Sequence, residues 1–336
     1  MRIGANGHSY DWISDWARIP DSASARAGWA HPGLAVNAAS EIITFHQGDP
    51  TLLVFGPDGE LRRTIETGLT EGHGITLTRE GDTDFLWVAD TGSKRLPQTD
   101  YGYQTGPVGG QVVKMTLDGR IALTLERPDL AIYREGRYQP TSVAVNEERF
   151  GGNGDVWVAD GYGQSYVHRY SRFSKAGEYL GSINGEEGGG RFATPHAVWI
   201  DARRAEPELY VADRSNHRIQ VYDVEGTFKR VVGADFLSSP SAFARDGDLL
   251  IVAELRARLA ILDPDDRLVC YLGDNEAVCA KEGWPNMLNG SGVPIRTDRL
   301  EPGKFNSPHG IGADREGNLY VAEWLIGGRM TKLAKV

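Results

Sequence analysis

The chain has 336 residues, with 46 acidic against 36 basic side chains, a formal net charge of -10, 42 glycines and only 2 cysteines. That balance excludes a surface built to track nucleic-acid phosphates, which requires clustered Lys and Arg. The longest apolar runs, such as 249–253, are too short to span a bilayer, and the start MRIGANGHSYDW lacks the basic and apolar regions of a secretory signal, so the expectation is a cytoplasmic protein without a membrane partner.

In chain order, the first strand-like segment is 9–20, aromatic and without a local partner. From there a pattern recurs: a short apolar strand, a second strand ending in an acid, a third strand, a turn and a fourth strand. The second strands read LWVAD (86–90), VWVAD (156–160), LYVAD (209–213), LIVAE (250–254) and LYVAE (319–323). The first strands begin HGITLT (73–78), PTSVAV (140–145), PHAVWI (195–200), PSAFAR (240–245) and PHGIGA (308–313), and a degenerate first copy covers 30–66. Gly226 marks the hairpin turn in the cleanest copy, 217–233, as Asp118-Gly119 does in another. A single four-stranded sheet cannot bury both faces, so repeated units stack radially. The pattern predicts one all-β domain over 1–336, a six-bladed β-propeller with blades at 30–66, 73–128, 140–183, 194–233, 239–272 and 307–336. The last blade has residues for three strands only, and segment 9–20 is expected to supply the fourth. Long insertions at 91–110, 183–194 and 273–307 are expected to be functional. Cys270 and Cys279 are expected as reduced thiols.

The residue that opens the innermost strand recurs once per blade: Pro32, His73, Thr141, His196, Ser241 and His309. Histidine occupies blades 2, 4 and 6, so three imidazoles are expected to converge on the axis as a metal site with an open position, the arrangement of catalytic zinc. The other histidines, His8, His31, His46, His168 and His217, lack this symmetry, and apart from His46 most read as surface or loop residues.

The blades look like NHL repeats, and HGITLTREGDTDFLWVADTG, VADGYGQSYVHRY, FATPHAVWIDARRAEPELYVADRSNHRIQVY and the last PHG resemble the peptidyl-α-hydroxyglycine α-amidating lyase family over nearly the whole chain. The resemblance implies a catalytic zinc, or another divalent transition metal, on His73, His196 and His309. It also implies a catalytic tyrosine at Tyr162 in Asp160-Gly161-Tyr162. In that family the enzyme cleaves the C–N bond at an α-hydroxylated glycine carbon, releasing an amide and glyoxylate. A phenol with a pKa near ~10 is a poor base at neutral pH, and a nearby dication favours the phenolate.

Three departures stand out. Gln47, in Phe45-His46-Gln47-Gly48-Asp49, replaces an arginine and cannot form a charged bidentate fork. Gly310 stands where the family has an aspartate tied to a structural calcium, so the resemblance does not carry that calcium over. Ser307 replaces a methionine. The sequence therefore leaves a metal-dependent lyase, a metal-dependent hydrolase of a small polar substrate, and a non-enzymatic NHL protein-interaction module as readings. A small-molecule or peptide-like substrate would meet Gln47, His46, Arg214 and Arg95 as binding residues.

Overall fold

The computed structural model describes residues 1–172 and 177–336; residues 173–176, inside the span expected for blade 3, lie outside the described residues. Among the described residues, five repeats fold as four-stranded antiparallel meanders and the last contributes three strands to a sixth sheet, giving a six-bladed β-propeller fold. Blade 4 shows the local logic with strands Pro195–Asp201, Glu208–Asp213, Arg218–Asp223 and Phe228–Val232. Its last hairpin turns at Gly226, where φ is +96°, a region that a side chain would make costly. The second strand is buried at every residue, whereas the fourth alternates between half-buried and exposed residues and ends on a buried one. A middle strand is covered on both faces and reads as continuous apolar sequence; an outer one keeps a wet face.

The chain divides into two compact units of three blades each. Residues 1–68, 94–105 and 241–336 hold blades 5, 6 and 1, while residues 69–93 and 106–240 hold blades 2, 3 and 4.

In the first unit, the last blade is built from Pro308–Ala313, Leu319–Glu323 and Met330–Lys335, and His8–Ile13 adds the missing strand, pairing Tyr10 with Lys335 and Trp12 with Leu333. The expected closure by the N-terminal segment is therefore observed. A further strand that the sequence reading lacked, Arg2–Ala5, extends the sheet to five, with Arg2 opposite Asp11 and paired with it at 3.0 Å. Its short RIGA sequence carries no alternation by which to recognise it. Tyr10 and Trp12 complete the core between blades 5 and 6 with Ile251, Ile261, Val321 and Phe305, and the Trp12 and Phe305 rings lie 4.6 Å apart. Trp16, Leu53, Phe55 and Tyr320 fill the space between blades 6 and 1.

In the second unit, Trp87, Val143, Val158 and Tyr170 pack between blades 2 and 3, and Trp157, Val198, Leu209 and Tyr222 between blades 3 and 4. Trp157 is fully buried, so its truncation to Ala would cost about 3–5 kcal/mol. Both cysteines are free, as expected. No helix among the described residues is long and apolar enough to cross a membrane.

Candidate metal and acid-base site

The acid that ends the second strand of a blade explains how the start of the first strand is held. A buried carboxylate requires donors, and it finds them in the backbone of the segment entering its own blade. Asp90 accepts from the amides of Thr70 and Glu71, both at 2.9 Å, and Asp213 accepts from Ala193 N at 2.8 Å. Asp160 accepts from Gln139 N at 2.7 Å, and Glu323 from Asn306 N at 2.6 Å and Ser307 N at 2.9 Å. Each of these segments leads directly into His73, His196, Thr141 or His309. The repeat acid is thus a positioning device. Glu323, ion-paired with Arg329 as well, takes this role rather than a catalytic one.

In the unit of blades 2 to 4, His73 and His196 are both buried, with ring centres 4.7 Å apart. His73 Nδ1 lies 2.6 Å from the carbonyl of Thr141, the equivalent residue of blade 3. A carbonyl only accepts, so Nδ1 carries the proton and Nε2 presents a lone pair. Gly74 makes this approach achievable, because a Cβ there would sit 2.4 Å from the same Thr141 oxygen. The Tyr162 hydroxyl lies 3.2 Å from His73 Nε2 and 3.0 Å from His196 Nε2, and it accepts from Arg214 Nη1 at 3.1 Å. One phenol proton cannot serve both imidazole nitrogens. Three electron-pair donors therefore converge with one guanidinium against them.

The turn that carries Tyr162 is fixed from behind. Asp160 accepts from Gln164 N at 2.7 Å and from the Tyr133 hydroxyl at 2.6 Å, and Gly161 lies so close to Pro195 O that a Cβ would approach it to 2.4 Å. Burial pushes the Asp160 carboxyl above its ordinary range, and its three donors act the other way. Tyr133 in turn lies 2.6 Å from His168 Nε2, and His168 Nδ1 lies 2.7 Å from Ser182 Oγ. His168 is fully buried, and burial lowers its pKa to about 4. This corrects the reading of His168 as a surface residue: it faces inward from the third strand of blade 3, Val167–Ser171.

In the unit of blades 5, 6 and 1, His309 repeats the geometry of His73. Its Nδ1 lies 3.0 Å from the carbonyl of Pro32, again the equivalent residue of the next blade. Gly310 is the counterpart of Gly74: a Cβ would come within 2.6 Å of Pro32 O, which gives a packing reason for glycine here. The Ser307 hydroxyl donates to the Trp324 carbonyl at 2.6 Å and ties the strap down. The second correction is His31, which is buried with its ring centre 4.4 Å from that of His309 and 5.9 Å from that of Trp324. The sequence carried a signal for it, since His31-Pro32 is the Pro-His dipeptide of blades 4 and 6 reversed. His73 and His196 in one unit, and His31 and His309 in the other, are candidate metal ligands. His73 and His309, whose Nδ1 atoms lie against carbonyls, are oriented for that role.

The remaining expected residues also lie in this unit. His46 is buried, and its Nδ1 accepts from the amides of Gly48 at 3.0 Å and Asp49 at 2.8 Å, holding its own turn. Burial lowers its pKa, against an opposing pull from Asp49. Gln47 is buried and donates weakly to Gly327 O at 3.4 Å. Arg95 donates to Tyr101 O at 2.8 Å and stacks over Trp29 and Tyr103, 4.9 and 4.2 Å from their ring centres. Among the expected residues, the structure thus joins Tyr162 and Arg214 to a histidine pair within one unit.

No protein-family profile matches the chain. It is 29% identical over 242 residues to NHL repeat-containing protein 3 of Mus musculus, covering 68% of this chain and 63% of that one. Over 271 residues it is 29% identical to peptidyl-alpha-hydroxyglycine alpha-amidating lyase 1 of Drosophila melanogaster, covering 75% of this chain and 42% of the relative. The chain therefore spans less than two thirds of either protein. Among solved structures, a streptogramin B lyase shares the fold at a TM-score of 0.57, with 11% identity, covering 97% of this chain and 98% of that one. The chain is a six-bladed β-propeller by fold, and by sequence it is similar to an NHL repeat-containing protein and to a peptidyl-alpha-hydroxyglycine alpha-amidating lyase.

Proposed function

We propose that the chain is a metal-dependent lyase that cleaves the C–N bond of an α-hydroxyglycine-type substrate. The observation that carries this reading is the Tyr162 phenol, within hydrogen-bond reach of two imidazole nitrogens and of the Arg214 guanidinium. His73, His196 and His309 would hold the ion, and zinc suits an all-imidazole set. When bound, the ion supplies Lewis acidity at the reacting centre and favours the phenolate form of a neighbouring tyrosine.

Tyr162 takes the proton of the substrate hydroxyl. The oxygen's electron pair then forms the carbonyl of glyoxylate, the C–N bond breaks, and the departing nitrogen takes up a proton to leave as the amide. Arg214 holds the phenol oxygen in place and stabilises its charge while it acts as base. Gln47 supplies an amide where the related lyases have an arginine, so Arg214 is the guanidinium that touches the acid-base group. His46 and Arg95 would bind through the loops they stabilise. The acidic balance of the chain favours a small or peptide-like substrate over nucleic acid and over an anionic membrane surface.

The similarity to NHL repeat-containing protein 3 supports a second reading, an interaction module without chemistry. Glyoxylate release from an N-acyl-α-hydroxyglycine, measured with the metal-loaded chain, separates the two. Release that disappears in Tyr162→Phe is the expected result. A chain with bound metal but no release would reject this substrate and leave a hydrolase or the module.

A further inference from the structure

Within the unit of blades 2 to 4, the blade that carries Tyr162 holds its repeat acid differently from its neighbours. In blade 4 the residue opposite Asp213, Arg218, donates to that carboxylate at 2.8 Å, and in blade 2 Gln111, opposite Asp90, does so at 3.4 Å. In blade 3 that place belongs to Tyr166, which meets Asp160 N through its carbonyl at 2.8 Å and turns its hydroxyl to Arg191 at 2.7 Å. The side-chain donor to Asp160 comes instead from outside the sheet. It is Tyr133, at the end of the short turn Ala131–Tyr133, with His168 behind it. We infer that Tyr133 and His168 are positioning residues for Tyr162, acting through Asp160 as a directed chain of hydrogen bonds. The inference rests on the acid-base role given to Tyr162 under the proposed function and extends it to two groups behind the site.

The direction of the chain follows from the protons available. Burial favours the neutral acid at Asp160, and Tyr133 leads the donors that draw it back to the carboxylate; the other two are backbone amides, which cannot reverse. A carboxylate only accepts, so the single Tyr133 proton goes to Asp160 Oδ2. His168 Nε2, 2.6 Å from the same phenol oxygen, must then carry hydrogen and donate. A neutral imidazole has one N–H, which leaves Nδ1 to accept from Ser182 Oγ at 2.7 Å, and Ser182 Oγ accepts from the Tyr179 hydroxyl at 2.7 Å. The chain thus runs from Tyr179 and Ser182, half-buried in the fourth strand Glu178–Ile183, to the fully buried Asp160. His168 takes the tautomer opposite to that of His73, whose proton sits on Nδ1.

Asp160 passes the restraint on to the turn. Its Oδ1 accepts from Gln139 N and its Oδ2 from Gln164 N, both at 2.7 Å, so one carboxylate ties down the segments on either side of Tyr162. The Gln139 carbonyl then accepts from Tyr162 N at 3.3 Å. The imidazole at the head of this path is clamped in its turn. The Tyr166 ring lies parallel to it within 5° at 6.1 Å, and Tyr179 and Tyr138 flank it at 6.2 and 6.3 Å. A ring held in this way presents Nε2–H along one line, which gives the Tyr133 hydroxyl one orientation. A neutral chain does here what Arg218 does in blade 4, without a second guanidinium behind a phenol that already accepts from Arg214.

Nitrogen-15 NMR of the full chain at neutral pH reads the tautomer. His168 is expected to be protonated at Nε2 and bare at Nδ1; the reverse would overturn the inference. Variants then test the path, with circular dichroism to establish that they fold. Tyr133→Phe removes the donor to Asp160, His168→Leu removes the imidazole, and His168→Gln returns an amide N–H near the place of Nε2. In the first two, the Gln139 and Gln164 amides should exchange hydrogen at least about 10-fold faster, with the amides of strand Val156–Ala159 unchanged. Glyoxylate release by the metal-loaded chain should lose about 10-fold or more in kcat with KM unchanged, and His168→Gln should recover most of both losses. Faster exchange throughout blade 3, or a glutamine variant as impaired as the leucine one, would reduce both residues to packing and overturn the inference. Tyr133→Phe, which keeps the ring, decides alone should the leucine variant fail to fold. A wild-type chain without glyoxylate release rejects the lyase, while the tautomer and the amide exchange still decide this inference.

Discussion

The two units use the same strand-start geometry for different surroundings. In blades 2 to 4, the pair His73 and His196 meets a phenol and a guanidinium, Tyr162 and Arg214. In blades 5, 6 and 1, the pair His309 and His31 meets indoles, Trp324 and behind it Trp29. In both, the strand histidine spends Nδ1 on the carbonyl of the next blade, and the glycine after it permits the approach. The difference teaches that the repeat fixes the imidazole, whereas the loop following the second strand decides what the imidazole faces. That loop is Asp160-Gly161-Tyr162 in one case and Glu323-Trp324 in the other. One surrounding presents a phenol and a guanidinium; the other presents indole rings.

Substitutions on each side sharpen this contrast. His73→Ala or His196→Ala is expected to have the largest effect, removing both a metal ligand and a partner of Tyr162. Metal content by elemental analysis should fall from one ion towards none, a loss beyond the ~10–100-fold typical of an outer partner. A fully loaded His196→Ala chain would break the proposed site. Next, Tyr162→Phe should lower kcat by about 10²–10⁴-fold, the contribution of a positioned acid-base group, with metal content unchanged. Trp324→Leu, in the other unit, should move KM instead; equal losses of kcat in both variants would erase the distinction between the units.

Arg214→Ala comes third. A hydrogen bond to a charged group contributes about 1.5–3 kcal/mol, so kcat should drop roughly 10–100-fold with little change in melting temperature. Arg214→Lys would restore charge without the planar fork and recover part of that loss.

The smallest effect is one of stability and belongs to blades 2 to 4. His168 titrates near 6.5 when unfolded and at about 4 when folded. Its folded pKa is depressed, so the unfolded chain binds more protons between these values and stability rises with pH there. The contribution is complete above about pH 6.5 and is lost as pH falls towards 4. Denaturant unfolding should show a loss of about 2 kcal/mol from this group between pH 7 and pH 5, reduced in His168→Gln. Equal pH slopes in the two proteins would show that burial of His168 does not govern acid stability.

Much of this was legible in the sequence. Five near-identical pentapeptides and one degenerate copy gave the blade count, the truncated last repeat gave the closure by the N-terminal strand, and the alternation of histidine at one repeat position gave His73, His196 and His309. These features are periodic, and periodicity survives without coordinates. Tyr162 and Arg214 were named from motifs, but their meeting on one oxygen was not visible, because it joins loops 52 residues apart. His31 and His168 were misread for the same reason. Each is a single histidine off the repeat position, and burial depends on what packs against it.

The sequence by itself determined the repeat, the turn glycines and the acid at the end of each second strand, since these answer to local backbone sterics and to alternation along a strand. Only the tertiary structure decided what those features are for. The repeat acid holds the strap before its own first strand, Gly74 and Gly310 admit the neighbouring blade, and His31 lies against His309, 278 residues away in the chain. Such contacts depend on distances between backbones that no local pattern records, and there the imidazoles acquire their tautomer, their enclosure and their partners.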